Sequence, residues 1–178
     1  MTEPGNPWPK LTCPTGCDLR TDLAIYDIYR YGNYEGEVRD IVDIWKEYEM
    51  VAFILGCSYS FEGALIKAGF SMRAWEEKVR TPAYLTKIKC TPVGPFQANL
   101  VTSMRPMPEA RIQEVIDICA KNPLSHDRPV YAGRNSEELL GIDLNKPFTG
   151  EVVTIKEDEV PVFTACSGMI WDMLPKAK

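Results

Sequence analysis

Between Met50 and Ala68 the chain reads MVAFILGCSYSFEGALIKA, and few folds accommodate that order. Six apolar residues, Met50 to Leu55, run unbroken into Gly56. A run of that length bounded by a glycine suits a strand buried on both faces. Beyond it, Phe61, Ala64, Leu65 and Ala68 recur at i, i+3, i+4 and i+7, which predicts a helix. Strand, tight turn and helix would bring Cys57, Ser58, Ser60 and Glu62 to the crevice at a sheet's carboxyl end, where ligands commonly bind. The free N–H groups of a helix start also suit an anion.

The rest of the chain fits a mixed α/β domain. At 178 residues it suits one domain, or two small lobes, and can bury roughly 70% of its unfolded surface without staples. Residues 1–18 hold four prolines and two glycines and read as an irregular lead-in, with the domain following over 19–178. Strands are expected at Leu19 to Tyr31, Glu37 to Ile44, Ala83 to Lys89, Ala98 to Met104, Pro129 to Ala132, Val152 to Ile155 and Val160 to Thr164. Asn33 to Gly36 reads as the turn between the first two. Helices are expected after Gly56, over Met72 to Arg80, over Pro108 to Lys121 and from Asn135 into Glu137 to Leu140. The third is the clearest, with Ile112, Val115, Ile116 and Cys119 in one stripe and Asn122-Pro123 as its stop. Strands alternating with helices favour a layered α/β or α+β domain, its mixed sheet flanked by helices.

Charge and cysteine usage narrow the partners. A net charge of −5, with scattered basic residues, gives no nucleic-acid footprint. No apolar span reaches membrane length, and Met1 to Lys10 is polar and proline-rich. A cytoplasmic protein is expected, with the mitochondrial matrix as the alternative, and self-association into a homo-oligomer is open. Six cysteines spread along the chain read as free thiols in a chain of this size without a secretory signal. Cys13 and Cys17, in C-P-T-G-C, have half the spacing of a zinc site, but no second pair completes it and His126 is the lone histidine. No metal and no cofactor are expected. Cys119 reads as a small core hydrophobe.

Four strings in order carry a resemblance. They are Cys17-Asp18-Leu19-Arg20-Thr21-Asp22-Leu23, Val51 to Glu62 (VAFILGCSYSFE), Leu100 to Pro106 (LVTSMRP) and Glu159 to Cys166 (EVPVFTAC). Together they resemble the hydro-lyase / D-glutamate cyclase family of YcsI-type bacterial proteins, nearly end to end along this chain. Family proteins are expected to carry a further N-terminal segment that this chain lacks. Gly94 to Val101 (GPFQANLV) echoes a string of that segment. Leu85 and Lys87 stand where the family usually has arginine and asparagine, and Ser167 where it has glycine.

The resemblance implies a dehydrating lyase, concretely ring closure of D-glutamate to 5-oxo-D-proline, and so a small amino-dicarboxylate substrate. Such a site must hold an α-carboxylate, take a proton from the ammonium and protonate departing water. Cys57, at a helix start that favours a thiolate, is a candidate acid, base or nucleophile, against the plainer reading of a small residue filling a turn. Ser58 and Ser60 are candidate donors to the substrate, against helix capping. Glu62 shares a helix face with Ser58 and is a candidate base, against an ordinary first-turn acid. Arg105 suits a carboxylate clamp, against a surface arginine. Arg20 and Asp22 would share one side of a strand and bind substrate, or pair with each other. His126 matches a family H-x-x-P-V string and is a candidate proton shuttle, against a structural loop histidine. Cys166 ends a strand, in a position like that of Cys57, against core packing. The alternative from another class is a catalytically silent carboxylate-binding or regulatory module of the same fold. A truncated product without independent function is a third reading and would show poor folding and exposed apolar surface.

Overall fold

A computed structural model describes residues 1–9 and 16–176; Cys13, and with it the C-P-T-G-C pair, lies outside the described residues. The chain divides into two compact units, Met1–Ile54 and Leu55–Lys176.

In the first unit a hairpin pairs β1 (Tyr26–Arg30) with β2 (Asn33–Val38). Tyr31 and Gly32 make the two-residue turn, both at positive φ (51° and 78°), the geometry that matches strand twist. The turn thus falls two residues ahead of the expected Asn33 to Gly36. Residues 19–25 have no strand, because their hydrogen bonds go to local turns such as Thr21 and Asp22 N–H to the Asp18 carbonyl. The expected return strand over Glu37 to Ile44 stops at Val38 and gives way to α1 (Val42–Glu47). Trp45 of α1 is buried and donates its indole N–H to the Gly5 carbonyl at 2.9 Å.

The expected strand at Met50 to Leu55 does not form. The segment has no ladder partner; Thr2 N–H donates to the Ala52 carbonyl and Gly5 N–H to that of Met50. Phe53, Ile54 and Leu55 are exposed. Hydrophobicity alone made this run strand-like, and a strand also needs a neighbour.

The second unit is built on a four-stranded sheet ordered β3-β4-β6-β5. Its strands are β3 (Ala83–Lys89), β4 (Asn99–Pro108), β5 (Tyr131–Ala132) and β6 (Glu159–Ala165). The α/β class is as the sequence implies. Each ladder is antiparallel, where strands of both directions were expected. The β4–β6 register runs from Thr102 opposite Ala165 to Pro108 opposite Glu159 and sets Pro106 against Pro161. Two prolines can face each other only where the pair exchanges no hydrogen bonds, so they are compatible with just one register parity. Val152 to Ile155 forms no strand, although Val153 is buried in the core.

Side-chain alternation splits the sheet into two faces. One carries Met107 and Val162 under α2 (Tyr59–Lys67) and α4 (Ile112–Cys119), with Phe61, Leu65, Val115 and Cys119 completing that core. Burial pushes the Cys119 thiol up to about 11, as suits a core hydrophobe. The other face carries Tyr84, Met104 and Phe163 under α3 (Arg73–Glu76) and α5 (Ser136–Leu140). Helix α3 is shorter than the expected Met72 to Arg80, ending before Lys78, which sits at φ 57°. The short α6 (Met169–Met173) follows β6.

Candidate active site

The entry to α2 is set by backbone contact. A Cβ built on Gly56 would lie 1.6 Å from the Leu124 carbonyl oxygen, so glycine alone fits there. Cys57 and Ser58 follow, with Ser58 at the N-cap position. Its hydroxyl makes no cap hydrogen bond and instead accepts from Arg105 Nη2 at 3.1 Å.

Arg105 belongs to the α2-covered face of β4, as the alternation Ser103, Arg105, Met107 requires. Its Nε donates to Glu62 Oε1 at 2.7 Å, Nη2 lies 2.6 Å from the same oxygen as the ion pair, and Nη1 reaches Thr164 Oγ1 at 3.4 Å. The guanidinium carbon lies 5.6 Å from the Tyr59 ring centre and 5.4 Å from that of Phe61. Arg105 and Glu62 are 6% and 2% exposed, so each compensates a charge that would otherwise be stranded in the interior. Glu62 Oε2 is buried without a hydrogen-bond partner among the described residues. Ser58 and Glu62 do share one helix face, and that face ties the start of α2 to the sheet.

Beside this pair a cleft of about 360 Å3 opens within the same unit. Its polar lining includes Cys57, Arg80, Thr81, Ser103, Cys166 and Ser167, and Tyr59, Ile170 and Trp171 supply apolar surface. Cys57 arrives from the α2 entry and Cys166 from the end of β6, where its N–H donates to the Val101 carbonyl at 2.9 Å. The Cys166 sulfur accepts the Gly168 N–H at 3.4 Å, which fixes its position. Thr81 and Gly150 shape one wall, and a Cβ on Gly150 would sit 2.3 Å from the Thr81 carbonyl oxygen. Arg80 is mostly exposed; its guanidinium lies 3.5 Å from Glu151, a pairing loose enough for an incoming carboxylate to displace.

The remaining candidates lie elsewhere. Ser60 is exposed on α2 and does not line the cleft. His126, at φ 77°, hydrogen-bonds to the Gly56 backbone; burial holds its imidazole below the usual range, and Nε2 is buried without a partner among the described residues. Arg20 and Asp22 belong to the first unit. Arg20 pairs with Asp18 at 2.6 Å, not with Asp22, and Asp22 accepts the Asp18 N–H at 2.7 Å. Of the three departures from the family pattern, Ser167 lines the cleft, while Leu85 and Lys87 lie on β3, with Lys87 Nζ donating to the Glu138 carbonyl. Among the described residues no group of three or more His, Cys, Asp or Glu is placed to hold a metal.

Sequence reasoning passed over Arg80 and Ser103. Arg80 precedes Thr81-Pro82 in a connecting segment with no motif around it, whereas Ser103 sits on the face of β4 that the register exposes to the cleft. A hollow of about 400 Å3 in the first unit, lined by Tyr26, Tyr29, Tyr31 and Tyr48, has no thiol, and its Arg30 is taken by Glu35 and Tyr48.

Two thiols, several hydroxyls and an arginine thus surround one cleft of this antiparallel α/β unit. Residues 51–170 match the family model of D-glutamate cyclase, and that span includes every residue lining the cleft except Trp171. The chain belongs to the D-glutamate cyclase family. Relatives named "Putative hydro-lyase" include one from Bacillus licheniformis, 44% identical over 93% of this chain and 62% of its own length. One from Natranaerobius thermophilus is 45% identical over 89% of this chain and 59% of its own length. YcsI of Bacillus subtilis, which carries the same designation, is 41% identical over 93% and 63%. The chain thus spans about three-fifths of the length of these curated relatives.

Proposed function

We propose that the chain acts as a lyase of the hydro-lyase type, closing D-glutamate to 5-oxo-D-proline with loss of water. The observation that carries this reading is the coincidence of the family match with the thiol-lined cleft. The cleft offers what ring closure asks for. Arg80 and the hydroxyls of Thr81, Ser103 and Ser167 can hold carboxylate oxygens, and the apolar surface of Tyr59, Ile170 and Trp171 suits a folded dimethylene chain. Holding amine and γ-carboxyl together makes the attack effectively unimolecular.

One observation favours the silent carboxylate-binding module instead. Arg105, the clamp expected from sequence, already holds Glu62 and Ser58. A proton NMR time course separates the two, with D-glutamate, L-glutamate and 5-oxo-D-proline in parallel samples of folded protein. Formation of 5-oxo-D-proline from the D-isomer is the expected result. Ligand line-broadening without conversion would favour the silent module.

A further inference from the structure

The cleft contains no carboxylate and no imidazole among its described lining residues. Its ionisable side chains are Cys57, Cys166, Tyr59 and Arg80. Arginine does not release its proton in proteins, and a phenol ordinarily does so only near pH 10. Thiols are the one type present that exchanges protons within reach of neutral pH. Glu62, one candidate base from the sequence, is buried on Arg105 and does not line the cleft.

We infer that Cys57 and Cys166 are the acid–base pair of the site, working on opposite ends of one ring closure. This rests on the D-glutamate reading and adds the groups that move the protons. The two sulfurs are delivered by independent elements, one from the entry to α2 and one from the end of β6. Within this proposal Cys166, whose sulfur accepts the Gly168 N–H, is given the role of initial base and Cys57 that of initial acid.

The steps balance without an oxidant or an added group. The Cys166 thiolate takes a proton from the α-ammonium, and the Cys57 thiol gives one to the γ-carboxylate. The neutral amine then attacks the γ-carbon, forming the C–N bond. The resulting N–H⁺ returns a proton to the Cys57 thiolate, and the Cys166 thiol protonates the departing hydroxyl as the C–OH bond breaks. Water and the lactam leave, and both cysteines end as they began.

The test compares Cys57→Ala and Cys166→Ala with the unmodified chain, using Cys90→Ser as a control outside the cleft. Turnover of D-glutamate is followed across pH, and thermal unfolding checks each fold. Either cleft substitution is expected to lower kcat by about 100-fold or more, with KM little changed, and to remove one limb of the pH profile. Folded variants that keep kcat within a few fold would overturn the pair while leaving the D-glutamate reading standing. Loss of kcat with an unchanged pH profile would also overturn it, since that is what mere repacking of the cleft produces. Absence of turnover in the unmodified chain would overturn the D-glutamate reading and this assignment with it.

Discussion

Glu62 meets Arg105 Nε and Nη2 through one oxygen, and among the described residues its other, buried oxygen has no hydrogen-bond partner. Neutralising such a carboxylate strands a guanidinium in the interior, so Glu62→Gln should cost about 3–5 kcal/mol in urea unfolding. A loss below about 1 kcal/mol would mean that the pair behaves as an exposed one. His126 supplies a pH-dependent contribution. Its folded-state value lies below the ordinary 6.5 because burial disfavours the imidazolium. The unfolded chain therefore binds the proton more readily, and this stability is present above about pH 6.5 and lost as pH falls through the lower folded value. Subtracting the unfolding curve of His126→Gln isolates that slope from the carboxylates that titrate further down. The shared face of Ser58 and Glu62 was legible from their spacing of four. Their partner was not, because Arg105 stands 43 positions from Glu62 and meets it only through the packing of α2 on β4.

Two glycines of the α2 region make opposite predictions. Gly56 approaches the Leu124 carbonyl so closely that Gly56→Ala must move backbone, at a cost of about 3 kcal/mol. Gly63 sits inside α2 with open space where its Cβ would be, so Gly63→Ala should stabilise by about 0.5–1 kcal/mol. Urea unfolding of the two variants side by side checks both signs. At this scale the sequence was informative wherever pattern is local. The stripe of α4 was legible because Val115 and Cys119 are buried at helical spacing, and β3 and β6 were legible as short β-favouring runs that do find ladder partners. Met50 to Leu55 misled because an apolar run records hydrophobicity and not a partner strand. Val152 to Ile155 misled similarly, since Val153 reaches the core without a ladder.

Over the whole chain, Leu55–Lys176 contains nearly all of the family match and the thiol-lined cleft. The resemblance read from four strings anticipated the family. It could not show that Arg105 is held within the protein while Arg80 lines the cleft, since neither sequence neighbourhood reports what packs over the side chain. The proposal that Cys57 and Cys166 together face the bound ligand is tested most directly by timed iodoacetamide labelling of the native chain. Peptide mass spectrometry would follow each cysteine separately, with and without saturating 5-oxo-D-proline. The account predicts that the ligand slows labelling of Cys57 and Cys166 together and leaves Cys90 unchanged, with buried Cys119 unreactive throughout. Labelling of Cys57 and Cys166 at unaltered rates with the ligand present would contradict it.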